Sequence, residues 1–216
     1  MNGDIYVDNG ENGRVDMWTL NATKSVPVMY VNGSCSSLFI DIDNSLYCSL
    51  GKLDQVIKRS LNSVSNTTTI VAGNGSPGSA SHMLDIPWGI FVDVKFNLYV
   101  ADCGNNRIQR FQLGQLNGTT LAGNGAPGTI ILSCPSRIVL DDDGYLFIVD
   151  MLNHRIIGSG PHGFRCVVGC SGEGSASNQL FFPTSFSFDS YGNMFVTDTR
   201  NTRIQKFFLS INFRGK

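Results

Sequence analysis

The chain has 216 residues, of which 42% are hydrophobic and 15% charged, with a formal net charge of −1. That is enough apolar material for a substantial buried core. The near-neutral balance lacks a Lys/Arg block and argues against a nucleic-acid surface, which needs clustered cations to neutralise phosphates. No run is long and apolar enough for a transmembrane helix, and no signal-peptide pattern opens the sequence.

Taken in chain order, Ile5-Tyr6-Val7-Asp8 followed by Asn12 and Arg14 reads as a partial unit over 1–18. A degenerate unit follows over about 21–61, where Leu50, Leu53 and Gln55 stand in places held by Asp, Asn and Arg further on. From 62 to 210 the units are clear. Leu98-Tyr99-Val100-Ala101-Asp102 leads to Asn105 and Arg107; Leu146-Phe147-Ile148-Val149-Asp150 leads to Asn153 and Arg155; Met194-Phe195-Val196-Thr197-Asp198 leads to Asn201 and Arg203. The offsets agree, 146−98 = 48 and 194−146 = 48. Asp41, Asp93, Asp141 and Asp189 each fall five residues before the leading Leu or Met, and Pro87, Pro135 and Pro183 eleven before, with Cys35 in that place in the degenerate unit. A fixed period of this size marks an array of supersecondary units that bury their faces only by stacking.

Within one unit the spacing predicts strands at 89–93, 97–102, 107–111 and 119–122, separated by Gly, Asn, Asp and Pro turns. No stretch of helical length escapes interruption by glycine. Four short antiparallel strands per unit of this length predict a propeller blade. The expected fold is therefore all-β: one propeller domain over 1–216, of about five blades with the first and last incomplete.

The run Pro87-x-x-Ile90-x-x-Asp93, then Leu98-Tyr99-Val100-x-Asp102-x-x-Asn105-x-Arg107-Ile108, resembles the NHL repeat. The resemblance is most specific in the last three units and implies β-propellers, commonly six-bladed. Length over period gives about four and a half blades, so the expectation is a fragment of, or variant on, a six-bladed ring. Open sheet edges would invite aggregation, which favours the fragment.

Asp102/Arg107, Asp150/Arg155 and Asp198/Arg203 could serve acid–base chemistry, but their recurrence makes them structural: a paired Arg–carboxylate can hold the hairpin or tie it to the next blade. Asn105, Asn153 and Asn201 are expected to supply left-handed turn geometry and backbone caps. Asp141-Asp142-Asp143-Gly144 suggests calcium, yet an EF-hand register would need an acid at Val139, so a turn is expected. Gly73-Asn74-Gly75 and Gly123-Asn124-Gly125 lack the Lys and helix of a phosphate loop and read as flexible connections. His82, His154 and His162 are too few for the metal-dependent lyases that NHL proteins resemble, and no Gly-x-Ser-x-Gly elbow occurs. No catalytic residue, cofactor or metal site is expected.

Six cysteines are present without a Cys-x-x-Cys pair, which argues against structural zinc. Cys166 and Cys170 flank a strand end, and Cys103 and Cys134 fall at one blade junction; these are disulfides or buried free thiols. Asn-x-Ser/Thr acceptors occur at Asn21, Asn32, Asn66, Asn74 and Asn117. Chance would give roughly three in a chain this rich in Asn, Ser and Thr, so they lean only slightly towards a secreted protein.

Antiparallel alternation places the second-to-third-strand and blade-to-blade connections on one rim, where recognition on a rigid scaffold usually sits. Leu84, Trp88, Leu152, Phe181, Phe182 and Arg200 are the candidate partner contacts there, the apolar ones equally readable as blade packing. The leading expectation is a non-catalytic protein-interaction scaffold with a protein ligand. The resemblance also implies two alternatives: the substrate-recognition part of a tripartite-motif ubiquitin ligase whose RING lies outside this chain, and single-stranded RNA binding, which the charge opposes. Location follows the function, extracellular for a scaffold and cytoplasmic for a ligase part. The residues are silent on oligomeric state.

Overall fold

The computed structural model describes residues 3–141 and 143–208; Asp142 of the acidic run and the tail Arg214-Gly215-Lys216 lie outside them. Among the described residues there are eighteen strands in five antiparallel sheets. The first sheet holds β1 (Ile5–Asp8), β2 (Arg14–Trp18) and β3 (Val26–Tyr30). The second holds β4 (Ser37–Ile40), β5 (Ser45–Leu50), β6 (Gln55–Ser60) and β7 (Thr69–Gly73). The third holds β8 (Pro87–Val92), β9 (Leu98–Asp102), β10 (Arg107–Phe111) and β11 (Thr119–Gly123). The fourth holds β12 (Pro135–Leu140), β13 (Leu146–Asp150), β14 (Arg155–Gly160) and β15 (Gly163–Val168). The fifth holds β16 (Pro183–Phe188), β17 (Met194–Asp198) and β18 (Arg203–Phe207).

In each sheet neighbours in space are neighbours in sequence, the meander of a propeller blade. The repeat period is kept in three dimensions, since β9, β13 and β17 are each the second strand of a blade. Among the described residues the first and last blades have three strands. The first blade runs further than its sequence signature: β3 pairs with β2, Val15 opposite Met29, so residues up to Tyr30 belong to it rather than to the degenerate unit. That strand carries none of the repeat's marker residues, which is why its membership does not show in the sequence.

The second strands β5, β9 and β13 are buried along their whole length, whereas β17 alternates buried and exposed residues. All five residues of β13 are buried, whereas the outer β15 is half exposed. Contacts gather the chain into two compact units, 1–100 with 110–119 and 101–109 with 120–216. In the first unit Leu84, Ile90, Val100 and Phe111 form one core, and Val15, Met29, Leu46 and Ile57 another. In the second unit Val149 and Ile156 of one blade pack on Leu180, Phe186, Met194 and Val196 of the next. Each wholly buried Leu, Ile or Phe contributes about 1.5–3 kcal/mol relative to an exposed one.

The Asp five residues ahead of the second strand shapes the turn from the first strand. In all four cases its Oδ1 accepts two backbone amides: Asp41 from Asp43 and Ser45, Asp93 from Lys95 and Asn97, Asp141 from Asp143 and Tyr145, Asp189 from Tyr191 and Asn193. The carboxylate therefore serves a hairpin turn. The Asn193 side chain, donating to the other oxygen, is the chief reason the Asp189 carboxyl lies below the usual carboxylate range.

Six cysteines form three disulfides, Cys35–Cys48, Cys103–Cys134 and Cys166–Cys170. The two spacings noted in the sequence are both bridged. Cys35–Cys48 was not readable there, because Cys35 occupies the place of a proline and Cys48 lies mid-strand in β5.

Candidate functional site: the turn rim

The second strands β9, β13 and β17 each end in an Asp that gathers donors from the following turn, and in β13 and β17 its two oxygens do different work. Asp150 Oδ1 accepts the amide of Ser133 at 2.7 Å, and Oδ2 accepts Asn153 Nδ2 at 2.9 Å and Arg155 Nε at 2.8 Å. Asp198 repeats this with the Phe181 amide at 2.7 Å, Asn201 at 2.8 Å and Arg203 at 2.7 Å, and adds Gln205 Nε2 at 3.0 Å. Asp102 Oδ2 accepts Asn105 at 2.9 Å and Arg107 at 2.7 Å. The guanidinium then reaches the loop that enters the blade: Arg155 donates to the Ile131 carbonyl at 2.8 Å, and Arg203 to those of Ser175 and Ala176 at 2.7 and 3.0 Å. One carboxylate and one guanidinium thus close the hairpin and, at Arg155 and Arg203, pin the entry loop. Burial raises the Asp198 carboxyl, but the Phe181 amide and the Asn201, Arg203 and Gln205 donors outweigh it, so the group sits below the usual carboxylate range.

The asparagines differ from expectation in backbone geometry, while the expected backbone cap is present at Asn201, whose Nδ2 donates to the Gly174 carbonyl at 2.9 Å. Asn153 and Asn201 lie within short 3₁₀ turns, Met151–Asn153 and Thr199–Asn201, and donate their side-chain amides to the Asp. The left-handed position is the next residue: Asp54 (φ 50°), Asn106 (53°), His154 (56°) and Thr202 (51°). Three of these side chains accept the amide of the residue just before the next blade's proline, Asp54 from Ile86, Asn106 from Cys134 and His154 from Phe182, at 2.9, 2.7 and 3.1 Å. Cys103–Cys134 reinforces the second of these corners covalently.

The glycine-rich connections are also packed where the sequence suggested flexibility. Gly73 (φ +76°) and Gly123 (φ +83°) lie so close to the Asp54 and Asn106 carbonyls that a Cβ at either would collide with backbone.

Of the six candidate contact residues, Leu84 must be withdrawn. It is wholly buried in a core, because its loop folds back with Gly78 N donating to the Leu84 carbonyl and Pro77 bridging Leu84. The signal was present: Leu132 and Leu180 follow at the repeat period and are equally buried, 3% and 0% exposed. Trp88 lies in β8, half-buried, its carbonyl accepting Ser49 Oγ of β5. Leu152 (44% exposed) and the exposed Arg200 occupy equivalent turn positions, each donating its amide to an entry-loop carbonyl, Ser133 and Phe181. Phe181, Phe182 and the His154 ring form a half-buried cluster with centroids 4.8–5.4 Å apart, and the Arg200 guanidinium lies 5.4 Å from the Phe182 ring centre.

His82 and His162 are exposed, and His154 is engaged at both nitrogens, with Glu173 Oε2 3.1 Å from Nε2. Among the described residues no three His, Cys, Asp or Glu side chains gather as a metal site, and no helix is long and apolar enough to cross a membrane.

These blades and their Asp–Arg corners define a β-propeller of repeated units. Residues 84–111 match the NHL repeat, and the chain is a β-propeller that carries this repeat. No curated protein matches it. Among solved structures it is similar to a chain of a nidogen/laminin complex (17% identity, 98% of this chain and 73% of that one, TM-score 0.74). It is similar also to streptogramin B lyase (14%, 96% and 66%, 0.64) and to an auxiliary nutrient binding protein from Bacteroides thetaiotaomicron (16%, 94% and 56%, 0.71). The chain spans about two thirds of the lyase and just over half of the nutrient binding protein. At these identities the likeness is one of fold, shared by binding proteins and a lyase.

Proposed function

We propose that the protein is a non-catalytic interaction scaffold whose turn rim takes a protein ligand, and that the repeated Asp–Arg pairs are architectural. The observation that carries this reading is the division of labour at the rim. The repeated polar groups are committed to the protein's own loops, while the non-repeated positions Leu152 and Arg200 stay exposed, Arg200 against the Phe182 ring of the Phe181–Phe182–His154 cluster. An exposed apolar residue, a cation and supported aromatics are what protein interfaces use as anchors. The nidogen/laminin likeness is compatible with a protein ligand, and the absence of a basic cluster keeps RNA the weaker reading.

The test is a screen of wild type and L152D/R200E against a panel of purified extracellular proteins, with melting followed in parallel. The proposal expects a ligand that binds wild type and is lost, tenfold or more, in a variant of unchanged Tm. A ligand indifferent to both substitutions overturns the choice of rim, and retention of single-stranded RNA at low ionic strength that salt abolishes supports the RNA alternative instead.

A further inference from the structure

The acceptor sequences Asn21-Ala22-Thr23, Asn66-Thr67-Thr68 and Asn117-Gly118-Thr119 fall in one topological place. Asn21 lies between β2 and β3, Asn66 between β6 and β7, and Asn117 between β10 and β11. With β1 the second strand of its blade by its repeat signature, all three are connections from third to fourth strand, in successive blades. Alternation puts such connections on the rim opposite the 3₁₀ turns. All three asparagines are exposed, and all three belong to the compact unit 1–100 with 110–119. In the fourth blade the same connection is only Pro161-His162 and carries no acceptor.

The local structure suits modification. Residues 62–70 are exposed throughout, and Asn66 sits in irregular backbone there, where a transferase can reshape the segment without breaking strand pairing. Asn21 is at φ 65° in a turn, and the exposed Asn117 accepts a surface hydrogen bond on its side-chain oxygen, from Ser81 Oγ at 3.2 Å. Asn32 and Asn74 differ. They follow β3 and β7 on the other rim, where Asn74 caps the Ser76 amide next to Gly73, packed against the Asp54 carbonyl. A second, independent observation concerns compartment: six of six cysteines are disulfide-bonded, which requires the oxidising environment in which N-glycans are added.

We propose that Asn21, Asn66 and Asn117 are N-glycosylated, making the third-to-fourth-strand rim of that unit a carbohydrate-bearing face. The donor is an oligosaccharide carried on a lipid pyrophosphate. The N–C bond forms between Asn Nδ2 and the anomeric carbon as the bond from that carbon to the pyrophosphate oxygen breaks; one amide proton passes to the transferase's base, and nothing is oxidised or reduced. The inference goes beyond the scaffold reading and stands without it.

The experiment routes the full chain through the secretory pathway of cultured animal cells and treats the purified product with peptide N-glycosidase in H₂¹⁸O. Peptide mass spectrometry then locates the ¹⁸O-labelled aspartates. The expected result is label at positions 21, 66 and 117, with N21Q, N66Q and N117Q each removing one mobility step; T68A, which keeps Asn66, must act as N66Q does. A secreted, disulfide-bonded product of bare polypeptide mass overturns the proposal, as does label confined to Asn32 and Asn74. Should a variant fail to be secreted, the label pattern of wild type decides alone.

Discussion

His154 takes the amide hydrogen of Phe182 on Nδ1 while its Nε2 lies 3.1 Å from Glu173 Oε2, so one ring fixes the entry to the next blade and a surface acid at once. Asp54 and Asn106 do the first of these jobs with a carboxylate and a carboxamide. What the position requires is an acceptor on a residue that tolerates positive φ, and Asn meets both conditions. H154N should therefore stay within about 0.5 kcal/mol of wild type, whereas H154L should lose about 1–2 kcal/mol through the unpaired amide and the strained backbone. Urea denaturation of the two variants checks this.

The depressed Asp198 carboxyl fixes the sign of one part of the acid response. A folded value below the unfolded one, about 3.9, gives stability that is present above the unfolded value and lost as pH falls through the folded one. Unfolding free energy should fall on acidification from about pH 5 to about pH 2, and D198N should show a shallower slope across that window. An identical slope would place the sensitive group elsewhere.

The three ion pairs differ in depth. The Arg107 side chain is 6% exposed, Arg155 25% and Arg203 32%, while the paired carboxylates are wholly buried. Removing one partner of a buried pair strands the other charge, so R107L should cost about 3–5 kcal/mol. R203L, whose site water can reach, should cost about 1–2 kcal/mol. Chemical denaturation should rank them in that order.

The disulfides should be unequal in the same assay. Cys103–Cys134 spans a sequence separation of 31 and Cys166–Cys170 only 4. Chain-entropy arguments make the first worth about 1.6 kcal/mol more than the second. C103S/C134S should be the less stable double variant, and C166S/C170S the better tolerated.

Much of this architecture was legible because the repeat reports on itself. The recurrence of Leu98, Leu146 and Met194 placed three second strands, and the Asp–Arg spacing placed both members at adjoining strand ends. What escaped depended on information that one unit does not carry. Leu84 looked like a loop anchor when taken alone; beside Leu132 and Leu180 it is a core position. The left-handed residue was misplaced by one, from Asn105 to Asn106, because Asn satisfies both the turn and the carboxylate and only φ separates them. Cys35–Cys48 needed the pairing of β4 with β5 before the two could be neighbours. At the rim, exposure of Leu152 and Arg200 follows from which neighbouring groups point inward, which periodicity does not specify.

The most direct measurement is a double-mutant cycle at Asp150–Arg155 and at Asp198–Arg203, using Asp→Asn and Arg→Leu, with rim-ligand affinity measured on the folded fraction of each variant. If the pairs are architecture, both cycles give favourable coupling on the order of 1–3 kcal/mol, and affinity per folded molecule is unchanged. Coupling near zero in variants that keep native stability but lose the ligand would contradict the account and return these residues to a functional site.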